Sequence, residues 1–192
     1  MSKLLFVTHN THKLQEVQAI VGSSYQLRNL NDIGFTADIP EPHHTLEENA
    51  LEKARTIYRQ YHVNCFAEDT GLEIDVLNGE PGVKTARYAG EHKNTQDNIN
   101  LVLQKLQGQP NRSAQFRTVF ALILNGQEYL FEGIARGTIT TTPQGNGGFG
   151  YDPVFIPDGY EQTFAQLPAA VKNAISHRAL ALKKLLTFLQ QQ

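Results

Sequence analysis

The chain has a single cysteine, Cys65, among its 192 residues. One thiol excludes an internal disulfide framework and any multi-thiolate zinc or iron–sulfur site, and it suits a reducing compartment. Inside the apolar-looking run 63–67 it reads as a small buried side chain rather than a nucleophile. Neither sign of charge dominates: 17 basic against 19 acidic residues leave a net charge of -2. No basic face therefore advertises nucleic acid or an anionic membrane as a partner. No apolar run approaches the roughly 20 residues of a membrane span, and Leu4-Leu5-Phe6-Val7 is too short for a secretory signal. The cytoplasm is the expected compartment. There is no internal repeat, no low-complexity tract and no Gly-x-Ser-x-Gly elbow, so serine hydrolysis has no support. The histidines show no i,i+4 pair with a nearby carboxylate, so zinc is not expected.

What remains is the composition of an ordered globular protein, 40% hydrophobic and 19% charged, of a length that fits one domain over residues 1–192. Residues 3–7 read as a buried strand, after which Leu14, Val17 and Val21 fall on one helical face closed by Gly22. Residues 25–30 read as a second strand. Thr45 and Glu48 form a capping box for a helix with the inner stripe Leu46, Ala50, Ala54, Ile57 and Tyr61, and a strand over 63–67 follows. A short strand is expected at 73–77, a long loop at 78–93, and a helix from Thr95 carrying Ile99, Val102, Leu103 and Leu106. The clearest signal is an antiparallel hairpin, 114–124 and Gln127–Ile139, around Asn125-Gly126. Pro168 opens a short helix, and Ser176 caps a last one bearing Leu182, Leu185, Leu186 and Leu189. The repeated strand–helix–strand order predicts an α/β fold: a mixed central sheet flanked by helices, the hairpin projecting as a lobe, and an active-site cleft between lobes.

Four polar clusters fall at predicted strand ends or helix starts, where open α/β sheets place ligands. Thr8, Asn10 and Lys13 offer donors and charge at a helix N-terminus, which suits a phosphate; an ordinary cap by Asn10 or Thr11 explains the same pattern. The glycines of a Walker A loop are absent. Glu68 and Asp69, at the end of the 63–67 strand, are adjacent carboxylates that repel unless a cation intervenes. Oxygen donors of this type suit Mg²⁺, and Glu41, between Pro40 and Pro42, adds another. The alternative is a turn capped by Asp69. Around Phe149, Gly148 and Gly150 let the backbone approach a flat ligand, the ring offers a stacking face, and Asp152 an acceptor; alternatively a glycine turn feeds a strand and Phe149 is core. Ser176, His177 and Arg178, with Lys172 shortly before, place basic groups at a helix start, against the usual charge preference; otherwise they face water.

In this order, Thr8-x-Asn10-x-x-Lys13, Glu68-Asp69-Thr70-Gly71-Leu72, Pro81-Gly82 followed by Ala86-Arg87-Tyr88-Ala89-Gly90, Gly148-Phe149-Gly150-Tyr151-Asp152-Pro153-Val154-Phe155 and Ser176-His177-Arg178 resemble the Ham1-like, or inosine triphosphatase, family of purine nucleoside triphosphate pyrophosphatases, from about residue 3 to 186. The resemblance implies hydrolysis of dITP, ITP and XTP to the nucleoside monophosphate and pyrophosphate, which cleanses the nucleotide pool and keeps these bases out of DNA and RNA. It also implies Mg²⁺ and a cytosolic homodimer. By motif position Asp69 resembles the general base and, with Glu41, the metal carboxylates. Thr8, Asn10, Lys13 and Lys53 correspond to residues holding the triphosphate, and Thr70, Phe149, Gly150, Tyr151, Asp152, Lys172, His177 and Arg178 to the rest of the substrate pocket. Two other readings use the same residues: a non-catalytic nucleotide sensor, and a related-fold pyrophosphatase acting on other modified nucleotides.

Chemically, water attacking the α-phosphorus needs cations to neutralise charge on the departing pyrophosphate, and Lys13 and Mg²⁺ are expected to supply them. Hypoxanthine and xanthine show a 6-oxo acceptor and an N1–H donor where adenine shows the reverse. Arg178 facing O6, with Asp152 or a carbonyl facing N1–H, discriminates by roughly 1 to 3 kcal/mol per mismatch.

Overall fold

The structure is a computed structural model describing residues 2–192. Its strands are β1 (Ser2–Phe6), β2 (Tyr25–Arg28), β3 (Cys65–Ile74), β4 (Ser113–Leu124), β5 (Gln127–Ile139) and β6 (Phe155–Pro157). They form one mixed sheet in the order β2-β1-β3-β4-β5-β6. β1 pairs in parallel with β2 and β3, and β6 is antiparallel to β5. The helices are α1 (Thr11–Val21), α2 (Leu46–Tyr61), α3 (Thr95–Lys105), α4 (Ala169–Ile175) and α5 (His177–Leu189). The chain divides into two compact units. One holds the chain up to Asp69, Thr118–Gly133 and His177–Gln192; the other holds Thr70–Arg117 and Ile134–Ser176.

In the first unit, the side of the sheet formed by Leu4, Phe6, Phe66, Phe120 and Leu122 is buried with Val17 and Val21 of α1 and Ala181, Leu182 and Leu185 of α5. The Phe6 and Phe66 rings stack at 4.7 Å between centroids. Each such fully buried aromatic contributes about 1.5–3 kcal/mol. Neighbouring strand residues point to opposite faces. Cys65, next to Phe66, accordingly turns the other way and donates from Sγ to the Ala54 carbonyl of α2 at 3.4 Å. That alternation decides where the next two acidic residues go.

The second unit packs Leu72, Ile74, Ile99, Val102, Leu106, Phe116, Ile139, Phe155 and Phe164 together. Arg112 staples it by donating to the carbonyls of Leu106, Ile139 and Thr140 at 2.6–2.8 Å. The hairpin turn has Asn125 and Gly126 both at positive φ, 51° and 80°, the geometry that Asn-Gly supplies for a two-residue connection. The hairpin is built into the sheet as β4 and β5, and each of its strands contributes to both units.

β3 differs from expectation. A strand ending at Ala67 and a second over 73–77 are replaced by one ten-residue strand, followed by a 3-10 turn at Asp75–Leu77. The polar residues 68–70 break the apolar run but not the pairing. The 78–93 loop also folds back to support the strand: Leu72 N donates to Thr85 Oγ1 at 2.8 Å, and Ile74 N to the Glu80 carbonyl at 3.1 Å. Glu68 to Gly71 are therefore strand residues, and the Asp69-capped turn does not form.

Candidate active site

The first unit gathers the phosphate-type donors and most of the acids. Asn10 caps α1, its Oδ1 accepting from Lys13 N at 3.1 Å, while Thr8 Oγ1 accepts from Asn10 N at 3.0 Å. The cap by Asn10 forms. Asn10 spends its carbonyl oxygen on the helix, and the amide NH₂ remains a donor type at the positive end of the α1 dipole.

Asp69, 5% exposed, lies on the α2 side of β3. Lys53 Nζ, from the third turn of α2, stands 3.6 Å from Asp69 Oδ1 and 3.2 Å from Glu41 Oε1, and donates to the Glu68 carbonyl at 3.0 Å. Burial lifts the Asp69 carboxyl above the ordinary aspartate range. Lys53 opposes that rise and Glu41 adds to it. Burial also works against the Lys53 charge, yet Asp69 and Glu41 hold its ammonium above the usual lysine value. Asn49, fully buried on α2, accepts from His43 N at 2.9 Å and donates to the His43 carbonyl at 3.2 Å. This pins the segment carrying Glu41, and Asn49 also hydrogen-bonds Asp69.

Glu68 points the opposite way, toward α1 and α5. Its Oε1 accepts from Lys13 Nζ at 2.8 Å and Arg178 Nη2 at 3.0 Å, and its Oε2 from Arg178 Nε at 2.8 Å. Arg178 Nη1 donates to Glu16 Oε2 at 2.5 Å. Burial alone favours the neutral acid, but the Arg178 and Lys13 charges overcome it and hold Glu68 well below the usual carboxylate range. The expected repulsion within the 68–69 pair is thus removed by the strand, which sends each carboxylate to its own cation. The O6-facing role expected for Arg178 meets a guanidinium 1% exposed and committed to two carboxylates. His177, 3% exposed, opens α5, where Gly133 of β5 lets the helix approach so closely that a side chain there would collide with the His177 carbonyl.

The second unit holds another buried pair. Lys172 Nζ donates to Asp152 Oδ2 at 2.5 Å, and the same oxygen accepts from Phe149 N at 3.0 Å. The ammonium lies 4.8 Å from the half-buried Phe149 ring centroid and 5.7 Å from that of Phe164. Gly148 and Gly150 both have positive φ, 65° and 61°, and a side chain at Gly148 would strike the Asp152 carboxylate. Tyr151 is core: its hydroxyl donates to the Thr85 carbonyl at 2.6 Å, and burial pushes its pKa up. Thr70, half-buried, begins this unit on β3.

Residues 4–188 match the model of the Ham1 family. The chain belongs to the Ham1 family. A dITP/XTP pyrophosphatase of Flavobacterium johnsoniae is 49% identical, over 97% of each chain. One from Porphyromonas gingivalis is 48% identical, over 98% of each. A solved HAM1 protein from Coxiella burnetii superposes with a TM-score of 0.90 at 35% identity, over the full length of both.

For this Ham1 chain, three site residues escape motif reasoning: Glu16, Asn49 and Phe164. Glu16 lies one turn beyond Lys13 on α1, a spacing that places the two side chains on one face. Asn49 interrupts an apolar helix stripe, and a polar residue there signals a buried partner. Phe164 carries no local signal. Among the described residues, no group of three or more His, Cys, Asp or Glu side chains forms a metal cluster; Glu41 and Asp69 share the Lys53 ammonium between them.

Proposed function

We propose that this chain hydrolyses dITP, ITP and XTP to the nucleoside monophosphate and pyrophosphate, and so clears such nucleotides from the pool that feeds DNA and RNA synthesis. The observation that carries this is the family membership, with close relatives named dITP/XTP pyrophosphatase, in a chain whose Asp69 is a buried carboxylate beside Glu41 and Lys53. Thr8, Asn10, Lys13 and Lys53 hold the triphosphate. Phe149, with its ammonium-backed ring, stacks the base, and Gly150 to Asp152 and Lys172 shape that surface. Thr70 and His177 complete the substrate contacts, and Arg178 acts from behind Glu68.

The Glu41–Asp69 pair fits a magnesium ion by its donor chemistry. Both are hard oxygen ligands, the pair keeps one net negative charge beside Lys53, and Asp69 is held in a position that burial makes unfavourable for its charge. Bound there, Mg²⁺ would supply positive charge to the phosphate oxygens. Asp69 takes the proton of the attacking water as general base. Lys13 turns from Glu68 to the phosphates and balances charge on the leaving pyrophosphate. No covalent intermediate is needed.

The same reading makes the protein a cytoplasmic homodimer. The lone buried Cys65 supports the compartment, and the exposed Leu130 and Ile134, on one face of β5, give a second copy something to cover. No helix among the described residues is long and apolar enough to cross a membrane. The experiment is pyrophosphate release from ITP, XTP, dITP, GTP and ATP, with and without Mg²⁺. Metal-dependent release from the first three supports the reading; equal release from ATP, or none from any of them, overturns it.

A further inference from the structure

Lys13, Glu68, Arg178 and Glu16 form a chain of alternating charge that sums to zero, with Glu68 at its centre. Lys13 reaches furthest toward water, 19% of its side chain exposed against 1% for Glu68 and 2% for Arg178. We propose that Glu68 is a positioning residue, not a metal ligand: it holds the Lys13 ammonium ready for the polyphosphate, while Arg178, itself held by Glu16, keeps Glu68 in place. This rests on the pyrophosphatase reading above.

Three observations carry it. Strand alternation turns Glu68 away from the Asp69 side, where Glu41 and Lys53 stand. The Glu68 oxygens accept three hydrogen bonds, out of roughly four lone-pair sites, from two cations. A divalent ion bound there would have to sit beside both cations, and Arg178 has no exposure in which to recover solvation. Lys13 can leave at lower cost, because Glu68 keeps its two-pronged bond to Arg178, and the ammonium exchanges one anion for another. The free protein thus stores Lys13 in a fixed position rather than ordering a flexible side chain at each binding event.

The test is a double-mutant cycle on the full-length enzyme, with Glu68→Gln, Lys13→Met and the double variant, read as KM and kcat for ITP. Mn²⁺ binding is followed in parallel by electron paramagnetic resonance, with Glu41→Gln as comparison. Each single substitution should change KM by about tenfold, the scale of one charge-assisted contact, with a smaller effect on kcat. Glu68→Gln should change KM no further once Lys13 is Met. Its Mn²⁺ affinity should stay within about twofold of wild type, while Glu41→Gln loses about tenfold or more. Additive KM effects, or a Mn²⁺ loss in Glu68→Gln matching that of Glu41→Gln, overturn the inference. Should Glu68→Gln not fold, Glu68→Asp keeps the charge but shortens the reach, and the same two readouts decide. A wild-type enzyme inactive on ITP sinks the proposed function instead, a separate outcome.

Discussion

Replacing Lys53 with methionine perturbs the acid pair most cleanly, because Met keeps the length and apolar stem of the side chain while removing the ammonium. Lys53 Nζ lies 3.2 Å from Glu41 and 3.6 Å from Asp69, with 12% of its side chain exposed. Removing one partner of a buried ion pair costs about 3–5 kcal/mol, and proton uptake by Asp69 recovers part of it. At about 2–4 °C per kcal/mol for a chain of this size, Tm should fall by roughly 6–15 °C near neutral pH. The pH dependence has a definite sign. The folded-state pKa of Asp69 already lies above its ordinary 3.8, with burial as the main cause and Lys53 the strongest opposing influence; the substitution raises it further. A carboxyl with a raised folded pKa stabilises the fold below its unfolded value, and that stability is lost as pH rises through the folded value. The deficit of Lys53→Met should therefore shrink in acid and grow above that window, and millimolar Mg²⁺ should recover more Tm in the variant than in wild type. Differential scanning fluorimetry across pH, with and without Mg²⁺, measures it. A deficit that is constant with pH and indifferent to the metal refutes the reasoning, as does Lys53→Met/Asp69→Asn proving no more stable than Lys53→Met.

Arg112→Ala removes donors to three backbone carbonyls and should cost about 2–4 kcal/mol in chemical denaturation; a loss under about 1 kcal/mol contradicts the stapling role. Burial pushes the Cys65 thiol up to about 12 from 9.0, so iodoacetamide should leave it unmodified at mildly alkaline pH unless the protein unfolds, and prompt alkylation of the folded chain refutes its burial. For the same group, stability is intact below the unfolded value of 9.0 and is lost as pH rises toward about 12, by up to about 4 kcal/mol. Alkaline denaturation of Cys65→Ala, shifted to higher pH than wild type, checks the sign.

Much of this was legible in the sequence because it is local. The Asn10 and Thr45 caps, the Gly22 stop, the Asn125-Gly126 turn and the helix after Pro168 each depend on a few adjacent residues, and each forms. The extent of β3 was not legible, because its second half is held by Thr85 and Glu80, residues thirteen and six positions away from the strand residues they bond. The same limit applies to the acids. Read as a row of letters, Glu68-Asp69 is a repelling pair; once both lie in a strand, alternation gives one to Lys13 and Arg178 and the other to Lys53. A basic residue at a helix start, such as Arg178, invites an anion. That anion is Glu68, 110 positions away in sequence, joined by Glu16 from α1.

Asp69→Asn, assayed for pyrophosphate release from ITP with saturating Mg²⁺, bears most directly on the claim that Asp69 is the proton-accepting carboxylate. Turnover should fall by about 10²–10⁴, the usual weight of a general base, with ITP still bound and Tm no lower than wild type, since the variant removes a charge that burial disfavours. Turnover within a few-fold of wild type, in a folded protein that binds ITP, would contradict it.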